Sequence, residues 1–186
     1  MKYLKNPAVA VILSLLIVLS SSFLTAGVKL SRASDKVTDG FYQGIRYDGY
    51  KHKSIAGQLD NICGAVSGLV TIAKNYSLDT AELSSRNSEL SKALSAETDR
   101  ISSVYADYSS LLASLYPLLD ELSEISLSDR DEKGAKDYEV TIIGAEKVIE
   151  EAGYNESVQA FAKDMSRFPA DFFLSATRTK LPEAFE

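Results

Sequence analysis

Histidine, cysteine and tryptophan are almost missing from this chain: its 186 residues hold one His, one Cys and no Trp, with only four Pro. A single cysteine, Cys63, excludes an internal disulfide and every cysteine-rich metal site. With His52 as the sole histidine, triads and dyads built on His have almost no room. The same scarcity removes the Glu-x-x-His pairs of carboxylate-bridged di-iron bundles. Positive charge is also short. Of the 20 basic residues, Lys2, Lys5 and Lys29 lie in the first 30 positions, which hold no acid, so the remaining 17 face all 26 acids. An acidic domain repels phosphate backbones, and Lys51-His52-Lys53 is too short to make a basic stripe, so a nucleic-acid partner is excluded.

What is abundant is apolar chain near the start. Asn6 to Val28 carries no charge, and Ala8–Val28 as a helix spans about 30 Å, enough to cross a hydrocarbon core. Two readings fit this run. Lys2 and Lys5 with the small residues Thr25-Ala26-Gly27 resemble a cleaved signal peptide, whereas the length of the run favours a retained anchor over residues 1–30. Leu24-Thr25-Ala26-Gly27 is followed by Val28 where a lipidated cysteine would stand, which rules out a lipoprotein anchor. Lys29, Arg32 and Lys36 balance the basic start, so the positive-inside rule gives a tie. The likeness of the start to an export signal places the domain outside the cell membrane.

Residues 31–54, with Gly40, Gly44 and Gly49, read as a juxtamembrane linker or a helix extension. From there the pattern is helical. Ile55, Leu59, Ile62, Val66, Leu69, Ala73 and Tyr76 recur at steps of four and three, as in coiled-coil seams. Asp79 with Glu82 resembles a capping box opening a second helix, whose stripe runs from Leu83 through Leu90, Ile101, Tyr108 and Leu115 to Leu122 and is interrupted at Pro117. Ser126–Lys136 reads as the main loop. A third stripe joins Tyr138, Ile142, Ala145 and Ile149 to Tyr154, Val158, Phe161 and Met165, ends at Pro169, and leaves Ala170–Ala176 for a short last helix. No stretch alternates with period two. The expected fold is all-α: an amino-terminal transmembrane helix, then over 55–186 an antiparallel bundle of three long helices plus short pieces, with Leu59, Leu69, Leu112 and Phe161 buried.

Tyr154-Asn155-x-x-Val158-x-x-Phe161, followed by Phe168-Pro169, resembles the carboxy-terminal signature of LemA family proteins. Tyr116-Pro117, Gln58-Leu59, Leu69, Lys74-x-Tyr76 and the final Phe185-Glu186 also resemble that family's pattern. Departures are plain: Ile62, Gly64 and Gly68 stand where the family has Arg, Asp and Asn, Phe161-Ala162 replaces a second Tyr-Asn, and Glu151 replaces an arginine. The chain reads as a divergent relative. The resemblance implies a membrane-anchored helical bundle with no established enzymatic activity, and a structural role for the eight signature residues of Tyr154-to-Pro169 and Tyr116-Pro117.

Opposite the first apolar stripe runs a second, uncharged one: Ser54, Gly57, Asn61, Gly64, Gly68, Thr71 and Asn75. Each interior glycine costs a helix about 1 kcal/mol relative to alanine, so three on one side imply close approach by another backbone. That approach is either a seam for a partner or second copy, or packing inside the bundle. Other constellations have bland readings. Glu146, Glu150 and Glu151 read as a solvated face, and Asp129, Asp131 and Glu132 lack the spacing of a calcium loop. Cys63 beside the apolar stripe reads as a buried, inert thiol, and Asn155 as an amide bonded across the bundle near the Phe168-Pro169 corner. No cofactor or metal is expected. The composition points to a scaffold or interaction module of the cell envelope, with the bilayer and a second copy or another envelope protein as partners. The alternative is a membrane-coupled sensor, and an envelope enzyme stands third.

Overall fold

The computed structural model describes residues 7–44, 46–47, 50–51 and 53–186, with side chains from 20–44 and 53–186. Lys2, Lys5, Gly49 and His52 lie outside the described residues, as do the side chains of the uncharged run up to residue 19. The order is α1 (Pro7–Gln43), β1 (Arg46–Tyr47), β2 (Tyr50–Lys51), α2 (Ile55–Asn75), α3 (Ala81–Ser95), α4 (Ile101–Glu124), α5 (Asp129–Glu150), α6 (Tyr154–Met165) and α7 (Ala170–Thr177). Among the described residues the regular structure is thus all helical apart from one small antiparallel ladder, in which Arg46 pairs with Lys51 and Tyr47 with Tyr50. That ladder fills part of the expected linker, while residues 31–43 are helix and Phe41 is fully buried.

α2 is the central element. Ser54 caps it, its hydroxyl accepting the Gly57 amide at 3.0 Å, and Ile55, Leu59, Ile62, Val66, Leu69 and Ala73 face the core. Ala65, Val70 and Ile72 are buried as well, so the helix is covered on more than one side: α5, α3, α1 and α4 all pack against it. By length and composition α2 is apolar enough to cross a membrane, yet its apolar surface is spent inside the chain.

The three-helix expectation is corrected at two breaks. The second stripe divides at Ala96–Arg100, where Glu97 takes a positive φ of 44° and the Thr98 hydroxyl accepts the Arg100 amide, turning α4 back onto α3. Pro117 does not interrupt: α4 continues through it, with Leu115, Leu118 and Leu122 buried around it, and this packing offsets the lost backbone bond. The third stripe divides at Gly153, whose φ of 67° is left-handed and ends the helix before Tyr154 restarts it. Three further expectations shift. The Asp79–Glu82 capping box does not form; Asp79 instead accepts the Ala81 amide, and Glu82 pairs with Arg86. Asp129, Asp131 and Glu132 are helical rather than loop, forming the first turn of α5 behind the Ser128 cap, where acids meet the positive end of the helix dipole. Leu112 and Phe161 are only half-buried, and Leu111 takes the inward place beside the fully buried Leu59 and Leu69.

Leu59→Ala or Leu69→Ala should therefore cost about 2–5 kcal/mol. Lys133→Ala, on the exposed face of α5, should be nearly neutral. Urea unfolding of the detergent-solubilised chain, followed by circular dichroism, measures both.

Candidate functional site

The signature residues meet the carboxy-terminal segment. Tyr154 and Asn155 open α6 directly after the left-handed turn at Gly153, so both side chains project from the first helical turn. The Asn155 amide donates to the Phe185 carbonyl at 3.0 Å, and the Phe185 N–H donates back to Asn155 Oδ1 at 2.8 Å. One side-chain amide thus mimics a neighbouring strand's peptide group, satisfying both polar groups of one residue. The Tyr154 hydroxyl donates to the Glu183 carbonyl at 2.9 Å. From α4, the Ser102 hydroxyl and amide reach the Glu183 carboxylate at 2.6 and 3.1 Å and hold it below the usual carboxylate range. The Ser34 hydroxyl of α1 donates to the Lys180 carbonyl at 2.8 Å.

The clamp closes over an aromatic cage. Phe185 is buried against Phe41, Tyr105 and Tyr108, with ring centroids 5.5, 5.1 and 5.7 Å away, and Phe41 meets Tyr154 at 5.6 Å. These separations suit edge-on and tilted ring packing. Burial, with Tyr42 and Glu183 nearby, raises the Tyr154 phenol well above the ordinary tyrosine range. Burial and the Glu146 carboxylate do the same for Tyr108. Both phenols stay protonated at neutral pH, and the arrangement holds the carboxy-terminal segment against α1, α4 and α6.

Below the clamp an open groove of about 790 Å³ follows α1, lined among others by Phe23, Leu24, Val28, Arg100, Lys180 and Leu181. Its lower end is the seat of α7. Phe23 stacks edge-on with Phe172 and Phe173 at 5.7 and 5.3 Å. Gly27 lies so close that a Cβ there would come 2.9 Å from Thr177 Cγ2. Ring packing and a glycine together let α7 lie against the point where α1 loses its charges.

The remaining signature residues scatter. Val158 is buried on α6 and Phe161 half-buried, whereas Phe168 and Pro169 form an exposed corner; the cross-bundle bonds of the Asn155 amide go to Phe185 of the carboxy-terminal segment. Tyr116 is exposed on α4 and donates to Glu146 of α5 at 3.0 Å, and Pro117 lies within α4. Tyr76, at the end of α2, donates to Asp131 and accepts the Ser128 amide, tying α2 to the start of α5.

The uncharged stripe of α2 is not one surface. Gly68 faces Tyr138 of α5, and a Cβ there would enter the ring. Gly57 sits over its own cap, Ser54, and Asn61 and Thr71 are exposed. Gly64 has open space beside it, at a polar groove of about 630 Å³ where Asn87 donates to the Cys63 carbonyl and the Ser67 hydroxyl. Cys63 itself is buried, its thiol pushed up to about 11 by burial and by Asp60. Among the described residues no three or more His, Cys, Asp or Glu side chains are placed to hold a metal ion.

Sequence reasoning missed Phe41, Ser102 and Glu183 as clamp residues; Phe41-Tyr42, aromatic in a polar stretch, was the available signal. No protein-family model matches the chain, and no curated protein or solved structure shows a significant match to it.

Asn155→Ala should lower stability by about 1–3 kcal/mol, since it leaves both polar groups of Phe185 without their partner. A chain ending at Ala184 should lose a similar or larger amount, and the two changes together should cost less than their sum, as a double-mutant cycle would show. The stripe separates just as cleanly. Gly68→Leu should destabilise by about 1–3 kcal/mol through collision with Tyr138. Gly64→Ala should gain up to about 1 kcal/mol from helix propensity alone, and thermal melts of the pair check both signs.

Proposed function

We propose that this chain is a single-pass, membrane-anchored helical scaffold of the cell envelope, LemA-like in its signature residues, acting through contacts and not through catalysis. The observation that carries this reading is the continuity of α1. Its 37 residues extend over about 55 Å, against a hydrocarbon core of about 30 Å. The uncharged run forms its first part, and its last turns carry Phe41 into the core. An anchor of this kind holds the domain upright and close to the bilayer, because there is no loose tether between them. The LemA resemblance is supported by the way Tyr154 and Asn155 grip the segment that ends in Phe185-Glu186. Partners in this reading are the bilayer and a second copy or another envelope protein, with the domain on the outer side.

The coupling of α1 to α2, α6 and α7 favours the membrane-coupled sensor as second reading. A tilt of α1 in the bilayer would act directly on the aromatic cage around Phe41. Gly44, with a φ of 81°, ends α1, so such a signal would pass sideways into the bundle rather than along one helix into α2.

The full chain should remain in carbonate-washed membranes, and a chain lacking residues 1–30 should appear in the supernatant. Release of a mature protein beginning near Val28 into the medium would overturn the anchor.

A further inference from the structure

α7 is an eight-residue helix, Ala-Asp-Phe-Phe-Leu-Ser-Ala-Thr, of which no residue is buried. A helix this short is marginal in water on its own, and Phe172 is 53% exposed while Phe168, just before it, is 84% exposed. Across the contact, Leu24 of α1 is 73% exposed. Exposed large apolar residues scattered singly need no explanation; gathered on two packed elements they mark an interaction surface.

We propose that α7 and the Phe168–Pro169 corner form a second membrane contact, lying in the bilayer interface beside α1. Three observations choose lipid as the occupant. First, α7 touches α1 at Phe23 and Gly27, inside the uncharged run that ends at Val28. Second, Phe23 lies about 7 Å along the helix axis from Val28. That depth lies within the range of about 5–10 Å to which interfacial amphipathic helices sink their apolar face. Third, exposed Lys29, Arg178 and Lys180 flank the patch at the level of the headgroups, and the exposed Arg167 and Asp171 beside the rings hold the contact to the interface rather than the hydrocarbon core. If α1 spans the bilayer, α7 cannot avoid the interface, because its seat on α1 lies below the charged end of the span. The inference rests on the anchor reading and deepens it: α7 and the corner before it give the domain a second point of contact with the bilayer.

The absence of tryptophan supplies the test. Single Phe172→Trp, Phe168→Trp and Val140→Trp chains are reconstituted at full length into liposomes of phosphatidylcholine and phosphatidylglycerol carrying brominated acyl chains, and floated on a density gradient. Val140, on α5 and 69% exposed, is the water-facing control. The Phe172 and Phe168 probes should show blue-shifted emission, lose most intensity to the brominated lipid and resist acrylamide, whereas the Val140 probe should do the opposite. Two probes guard against one substitution disturbing α7. Chains that float while both probes emit as in water and are quenched by acrylamide would overturn this inference and leave the anchor standing. Shielding from acrylamide without quenching by brominated lipid would mean that a second copy covers the patch, and would overturn it too. Chains that fail to float would overturn the anchor and this inference together.

Discussion

The need of α2 to hide apolar side chains on more than one side governs the rest of the molecule. A helix with a single stripe is satisfied by one neighbour; this one buries Ala65, Val70 and Ile72 as well as its main stripe. It must therefore be wrapped, and α5, α3, α4 and α1 wrap it. Close wrapping in turn demands small residues. Gly68 admits the Tyr138 ring, and Gly134 of α5 lets Ile72 approach, a Cβ there meeting the Ile72 Cδ1 at 3.3 Å. The tie from Tyr76 to Ser128 and Asp131 then fixes the start of α5 against the end of α2.

Helix content and the inward face of α2 were legible in sequence because apolar spacing survives whatever surrounds it. The breaks were not. A stripe can keep its phase across a tight turn, as from Leu94 to Ile101 and from Ile149 to Tyr154, so periodicity alone merges two helices into one. Proline misled in the opposite direction: Pro117 looks like a stop, yet the buried leucines around it outweigh one lost hydrogen bond. Gly153 was the sound signal at the second break, since a left-handed residue is cheapest as glycine.

The site was legible by half. Asn155 stood out because an asparagine inside a helix is disfavoured by propensity and asks for a hydrogen-bond partner, but its partner lies thirty residues away in a segment without any period. Phe185 was noted only as part of a terminal resemblance; no periodicity runs through residues 181–186 to place it in the core. The same holds for Phe41, whose surroundings read as linker. Contacts between a helix end and an irregular segment depend on tertiary geometry, which one-dimensional spacing does not encode. The glycine stripe shows the converse: a regular pattern on paper, which the folded chain divides among a cap, a ring contact and an open groove.

The aromatic cage joins residues from near the start of the chain and near its finish, Phe41 and Phe185, and this sets a sequence of events in the cell. At synthesis rates of about 5–20 residues per second, Phe41 waits on the order of ten seconds for its partner. Through that interval the pocket that α1 will help to close stands open, and in the anchor reading proposed above α1 would enter lipid before the domain could sequester any part of it.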